Sequence, residues 1–250
     1  MEAERDERLV RAASFGAVAD AYERARPGYP DDAVRWLAGD VPCDVVDLGA
    51  GTGKLTRSLV ALGHRVTAVE PLEKMLDRLR IAVPGATALL GSAESLPLPD
   101  GGADVVTCAQ AFHWFDQEVA LREIARVLRP GGRIALVWNT RDDSQGWVAE
   151  LTETVIGRSE FRDDGVVAVT GSIDESGLYE PVERGSFAHV QLLGRDDLVE
   201  LVRSRSQCAV LSEDERAPVL ERVGAMFDAH SQDGVLAMPY VTECFRAVRR

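Results

Sequence analysis

Lysine is almost missing from this 250-residue chain: Lys54 and Lys74 are the only two, and arginine carries the rest of the positive charge. Asp and Glu number 41 against 28 Lys and Arg, a formal net charge of −13. So acidic a chain lacks the basic face that binding to DNA or bulk RNA needs, although a local basic pocket stays open to it. Long apolar runs are missing too; the longest are strand-length, so no transmembrane helix is expected. The first residues, Met1-Glu2-Ala3-Glu4-Arg5-Asp6, are charged and lack the apolar stretch of a secretory signal. Cysteine is sparse. Cys43, Cys108, Cys208 and Cys244 form no CxxC pair, which reads as reduced packing residues of a cytoplasmic protein. His64, His113, His189 and His230 stand at no ligand spacing to one another or to cysteine, so no metal site is expected.

What is present is concentrated in one stretch, Val45-Val46-Asp47-Leu48-Gly49-Ala50-Gly51-Thr52-Gly53-Lys54-Leu55. A short apolar strand runs into glycines at alternate positions, and a helix follows. Glycine has no Cβ and tolerates positive φ, so such a turn lets backbone approach a ligand closely. The helix N-terminus then offers free N–H groups to something polar or anionic. Seventeen residues after Gly53 a second strand ends in Glu70, placed to hold ribose hydroxyls. Together these point to a nucleoside-bearing cofactor. The spacing is not that of a P-loop, because Gly53-Lys54 is followed by Leu55. Nor is it the dinucleotide pattern GxGxxG, because Lys54 stands where the third glycine would be.

The length suits one α/β domain with additions or two small domains, and a single domain over 1–250 is the simpler reading. Residues 1–40 read as a helical segment broken by Arg26-Pro27-Gly28-Tyr29-Pro30, with Asp31 or Asp32 capping the next helix. Residues 41–140 alternate strand and helix. Strands are expected near 45–49, 65–70, 86–90, 103–109 and 133–138, with Pro71 in the first turn of a helix and Pro130-Gly131-Gly132 as punctuation. Residues 141–250 hold further helices and two strands, 185–193 and 235–248. Residues 160–180 are expected to be mostly loop, and Ser212-x-x-Glu215 offers a capping box. Buried parallel strands with right-handed helical crossovers follow from the alternation.

Asp47-Leu48-Gly49-Ala50-Gly51-Thr52-Gly53, then Glu70, Gly91-Ser92-Ala93-Glu94, Asp104–Gln110 and Leu128-Arg129-Pro130-Gly131-Gly132 resemble, in order, the motifs of class I S-adenosylmethionine-dependent methyltransferases. The resemblance covers about residues 40–140. It implies an α/β, doubly wound, Rossmann-like sheet of seven strands in the order 3-2-1-4-5-7-6, strand 7 antiparallel, with a helical cap. Ligands of such sheets sit where the strand order reverses. It further implies that Gly49, Ala50, Gly51 and Gly53 lie against the amino-acid and ribose part of S-adenosylmethionine. Asp47 would stand near the methionyl amine, and Glu70 would take both ribose hydroxyls. Pro71 and Leu72 would adjoin the adenine, bordered by Ser92, Ala93 and Glu94. Family members often carry Asp or Asn where this chain has Ser92, and Glu94 is the substitute at hand. Ala109 and Gln110 would stand beside the sulfonium.

The acceptor side is expected in Gln110-Ala111-Phe112-His113-Trp114-Phe115-Asp116, together with Tyr22, Arg26, Tyr29 and Asn139. This combination resembles small-molecule methyltransferases of the trans-aconitate methyltransferase-like subgroup. His113 is the candidate base, since histidine titrates near neutrality. Phe112, Trp114 and Tyr22 offer aromatic faces to a cation or a flat acceptor. Tyr29 and Asn139 are further candidate substrate contacts, and Arg26 is suited to a carboxylate of cofactor or acceptor. Each has a bland counterpart: an aromatic wall, a core, or a solvated arginine. The reading is methyl transfer to a small organic acceptor on oxygen, carbon or a carboxylate. Its rivals are a non-catalytic S-adenosylmethionine-binding protein and an enzyme methylating protein or RNA. Neither the acceptor nor the oligomeric state is legible.

Overall fold

The strand-length apolar runs form the centre of the fold. The structure is a computed structural model and describes residues 26–156, 171–203, 208 and 211–250. Its strands are β1 (Asp44–Leu48), β2 (Arg65–Glu70), β3 (Thr87–Leu90), β4 (Ala103–Ala109), β5 (Leu128–Arg141), β6 (Glu183–Leu193) and β7 (Leu236–Val248). Its helices are α1 (Asp31–Ala38), α2 (Lys54–Ala61), α3 (Glu73–Ala82), α4 (Gln117–Val127), α5 (Gly146–Ile156), α6 (Arg195–Arg203) and α7 (Glu213–His230). The strands join in one sheet of order β3-β2-β1-β4-β5-β7-β6, β7 antiparallel, as the resemblance implied. Tyr22 and the rest of residues 1–25 lie outside the described residues, as does most of the loop expected at 160–180.

By its contacts the chain divides into two units. Of the described residues, the first unit holds 28–139, 171–187 and 242–250. In it, successive side chains of each strand point to opposite faces and feed two apolar layers. Val46, Leu48, Val106, Cys108, Ile134 and Leu136 meet Ala120, Leu121 and Ile124 of α4 on one face. Val45, Val66, Val105, Ala135 and Val137 meet Val34 and Leu37 of α1 and Leu55 and Leu59 of α2 on the other. The second unit holds the described residues of 1–27, 140–160 and 188–241. Its core joins Val148 and Leu151 of α5, Leu198, Leu201 and Val202 of α6, Val223 and Phe227 of α7, and Leu236 and Met238 of β7.

Several local expectations are corrected. β5 begins at Leu128, and Pro130-Gly131-Gly132 lies inside it as an irregularity rather than ahead of it. Ala103 pairs with Leu128 and Val105 with Arg133, so the extra residues bulge out, and Gly131 supplies the positive φ of 76°. The N-cap of α1 is Pro30, with Asp31 and Asp32 in the first turn, where their charge favours the helix dipole. Leu72, not Pro71, borders α3. Residues 171–175 are helical rather than loop. The Ser212–Glu215 capping box is present as read.

Candidate active site

The turn between β1 and α2 is built from three glycines with three different jobs. All have positive φ: 61° at Gly49, 57° at Gly51 and 92° at Gly53. A Cβ on Gly49 would stand 2.7 Å from the Ala111 Cβ, so this glycine lets the turn pack under the segment after β4. A Cβ on Gly53 would come within 3.0 Å of Leu79 and Val83, so it seats α2 against α3. Around Gly51 there is nothing within 4 Å of such a Cβ. Packing therefore accounts for Gly49 and Gly53 and leaves Gly51 facing open space, where a ligand has room.

Glu70 closes the other side of that space. It is 5% exposed, and its Oε2 accepts from the Gly51 N–H at 2.9 Å and its Oε1 from the Leu72 N–H at 3.0 Å. The carboxylate thus ties the turn to the start of the α3 segment, and each oxygen keeps a lone pair for a further donor. Burial raises its pKa, against the opposing pull of those two N–H groups. Asp47 lies deeper, fully buried, on the face of β1 that looks towards α2. Its Oδ2 accepts from the Thr56 hydroxyl at 2.6 Å and its Oδ1 from the Thr107 hydroxyl at 2.9 Å. β1 and β4 pair Asp47 with Thr107 in register, which is what brings the two together. Burial pushes the Asp47 pKa up to about 6, the two hydroxyls lower it, and the Glu70 charge raises it further. Asp47, read from the sequence as lying near a methionyl amine, is fully buried and braces the turn from below. Thr56 and Thr107 are the residues the sequence reading missed; only the strand register could have flagged Thr107.

The segment after β4 holds strain. Gln110 has φ 53°, unusual for a residue with a Cβ, and is held there by its N–H on the Val137 carbonyl at 2.9 Å. Ala109 and Gln110 are half-buried, as are Ala50, Leu72, Ser92, His113 and Trp114, while Pro71 is exposed. Phe112 to Trp114 form a single 3-10 turn. The ring centroids of His113 and Trp114 lie 4.6 Å apart. Phe112, a candidate acceptor contact by its place in the sequence, is fully buried in the core under α4, edge-on to Phe115, and shapes the turn. Ala93 is likewise a core residue, 4% exposed. Glu94 accepts from the Asp116 N–H at 3.0 Å, which fixes the start of α4. Asn139 is held on both sides. Its amide donates to the Gly28 carbonyl at 2.8 Å and accepts from the Thr242 hydroxyl at 2.7 Å, so both ends serve the fold. Tyr29 packs against the α1–α2 layer. Arg26 belongs to the second unit.

A cationic nucleoside fits this arrangement. Open space lies at a positive-φ glycine, with one carboxylate beside it and a second beneath, and two like charges so placed favour a cation.

Comparison with known proteins agrees. The profile of a methyltransferase domain family matches residues 46–136. An uncharacterized methyltransferase of Mycobacterium tuberculosis is 46% identical over 237 residues, covering 94% of this chain and 95% of that protein. A malonyl-[acyl-carrier protein] O-methyltransferase of Methylococcus capsulatus is 38% identical over 133 residues, 49% of this chain and 48% of that one. Among solved structures, a candidate type II methyltransferase from Anaeromyxobacter dehalogenans shares the fold over 90% of this chain and 97% of its own, with TM-score 0.70 and 24% identity. A Haemonchus contortus phosphoethanolamine N-methyltransferase complexed with S-adenosylhomocysteine shares it over 97% of this chain and 59% of its own, with TM-score 0.56 and 16% identity. With the ordered motifs, the strand order and a relative matched almost from end to end, the chain belongs to the class I S-adenosylmethionine-dependent methyltransferases.

Proposed function

We propose that this enzyme methylates a small organic acceptor, with the cofactor held between the Gly49–Gly53 turn and Glu70. The observation that carries the reading is the open space at Gly51 bordered by the Glu70 carboxylate. S-Adenosylmethionine supplies the activated methyl group when bound, so little covalent chemistry is left to the protein. Glu70 accepts the ribose hydroxyls on its outward lone pairs, as a carboxylate with two oxygens does. Asp47, through Thr56 and Thr107, keeps the turn in register beneath the cofactor. Leu72 lies against the adenine, and Ser92 and the backbone of Ala93 border it.

The strained backbone at Gln110 aims the residues after β4 across the mouth of the site. There Trp114 supplies an aromatic face to a cation and His113 takes the acceptor proton when the acceptor is a hydroxyl or a carbon acid. A carboxylate acceptor would need no base. Alignment and exclusion of water then supply most of the rate. The acidic composition favours a small molecule over RNA.

The test is release of S-adenosylhomocysteine from S-adenosylmethionine with small hydroxy acids, phenols and carboxylic acids offered in turn. Turnover with at least one of these classes is expected. Turnover with protein or RNA alone would overturn the small-acceptor reading. A histidine base predicts that His113→Ala lowers kcat about a hundredfold and removes the rise of rate with pH near neutrality. An unchanged pH–rate profile would dismiss His113 from that role.

A further inference from the structure

The last residue of β5 is an arginine that has no visible reason to be buried. Arg141 is 6% exposed, and its Nε, Nη1 and Nη2 are all buried with no hydrogen-bond partner. A guanidinium carries five N–H donors, stays charged in proteins, and is costly to bury without acceptors. Burial acts most strongly against its charge and the nearby charge of Arg26 adds to this, while Tyr240 and Asp143 favour the charged form. The Asp143 carboxylate accepts from the Thr152 hydroxyl at 3.0 Å. The Tyr240 hydroxyl is itself buried and stands beside the guanidinium, whose charge its oxygen favours, while its own O–H meets no acceptor. His189, on β6, stands with its ring 6.3 Å from the Tyr240 ring, and burial lowers its pKa. All of these residues belong to the second unit.

We propose that Arg141 and Tyr240 form a subsite for a small oxyanion, a carboxylate or phosphate, within the second unit. A buried guanidinium with N–H donors to spare and a buried hydroxyl without an acceptor match a group that has acceptors only. A carboxylate takes two parallel N–H bonds from one guanidinium, and the phenol adds a third donor. The desolvation that makes Arg141 unfavourable in the empty protein is what would make an anion bind strongly there. The subsite can be tested without turnover.

The experiment follows thermal unfolding of the full chain with succinate, with inorganic phosphate, with neutral succinamide, and with sodium chloride at matched ionic strength. A saturable rise in midpoint with succinate or phosphate, absent with succinamide and chloride, is expected; the stronger of the two names the source. Arg141→Met keeps the length of the side chain and removes the charge. It should abolish that response and raise the midpoint of the anion-free protein, because an unpaired buried charge is gone. Arg141→Lys should keep a weaker response, by roughly tenfold in affinity, since a lysine gives no bidentate pair. Tyr240→Phe, which removes one oxygen, should weaken it as well and serves if Arg141→Met does not fold. No saturable response in the wild type, or a response that survives Arg141→Met, would overturn the proposal. S-Adenosylhomocysteine affinity, measured on the same samples, should be unchanged in Arg141→Met. Its loss from the wild type would instead strike the methyltransferase reading.

Discussion

At the scale of single residues, the three glycines make separable predictions. Gly51→Ala puts a Cβ at φ 57° into open space, so it should cost only about 1 kcal/mol of stability, the strain of the left-handed region. It should nonetheless weaken S-adenosylhomocysteine binding by about tenfold or more, because the new methyl takes up ligand space. Gly49→Ala should show the reverse emphasis, a stability loss of about 2 kcal/mol or more from the contact with Ala111. Chemical denaturation and calorimetric titration on both variants separate the two effects. Asp47 makes a pH prediction. Its folded pKa of about 6 lies above the ordinary 3.8, so the native state holds the proton more tightly than the unfolded chain does. Stability should therefore fall as pH rises from about 4 to about 6, and the raised pKa of Glu70 acts in the same direction. Thermal midpoints across that window should fall less steeply in Asp47→Asn than in the wild type. An equal slope would show that Asp47 is not the titrating group. Binding of the cationic cofactor should tighten over the same window as Asp47 ionises.

At the scale of elements, strands and helices were legible where one signal sufficed. The alternation of apolar runs fixed β1, β2 and β4 to within a residue of their expected ends, because buried parallel strands leave an unbroken apolar signature. β5 was misjudged at its start, since Pro130 and two glycines read as a stop and act as a bulge. The site was legible in part. Glycine spacing and Glu70 identify a ligand turn from sequence alone. That Gly51 faces open space while its two neighbours are packed needs the fold. So does the exchange of roles at Phe112 and Asn139, whose chemistry suits a site and whose surroundings make them structural. Asn139 links β5 to the Gly28 turn and to β7. Asn139→Ala should accordingly lower stability by about 1–3 kcal/mol and leave the midpoint of cofactor binding nearly unchanged. A large loss of cofactor affinity with little loss of stability would return Asn139 to the site. Arg141 carried no sequence signal, because an arginine at a strand end is ordinary until its burial is seen.

At the scale of the whole molecule, net charge and site charge point the same way. An excess of acidic residues and two raised carboxylates at the turn favour a cationic ligand and disfavour polyanions. Raising ionic strength should therefore weaken S-adenosylmethionine binding more than binding of neutral S-adenosylhomocysteine, and the ratio of their affinities reports it. The central claim is that the Gly49–Gly53 turn and Glu70 hold the cofactor. Titration calorimetry of the full chain with S-adenosylhomocysteine, in wild type and Glu70→Ala side by side, tests it most directly. The account predicts one-to-one binding in the wild type, and in Glu70→Ala a loss of about tenfold or more in affinity from the missing ribose contacts. Absence of binding in the wild type, or equal affinity in a folded Glu70→Ala, would contradict it.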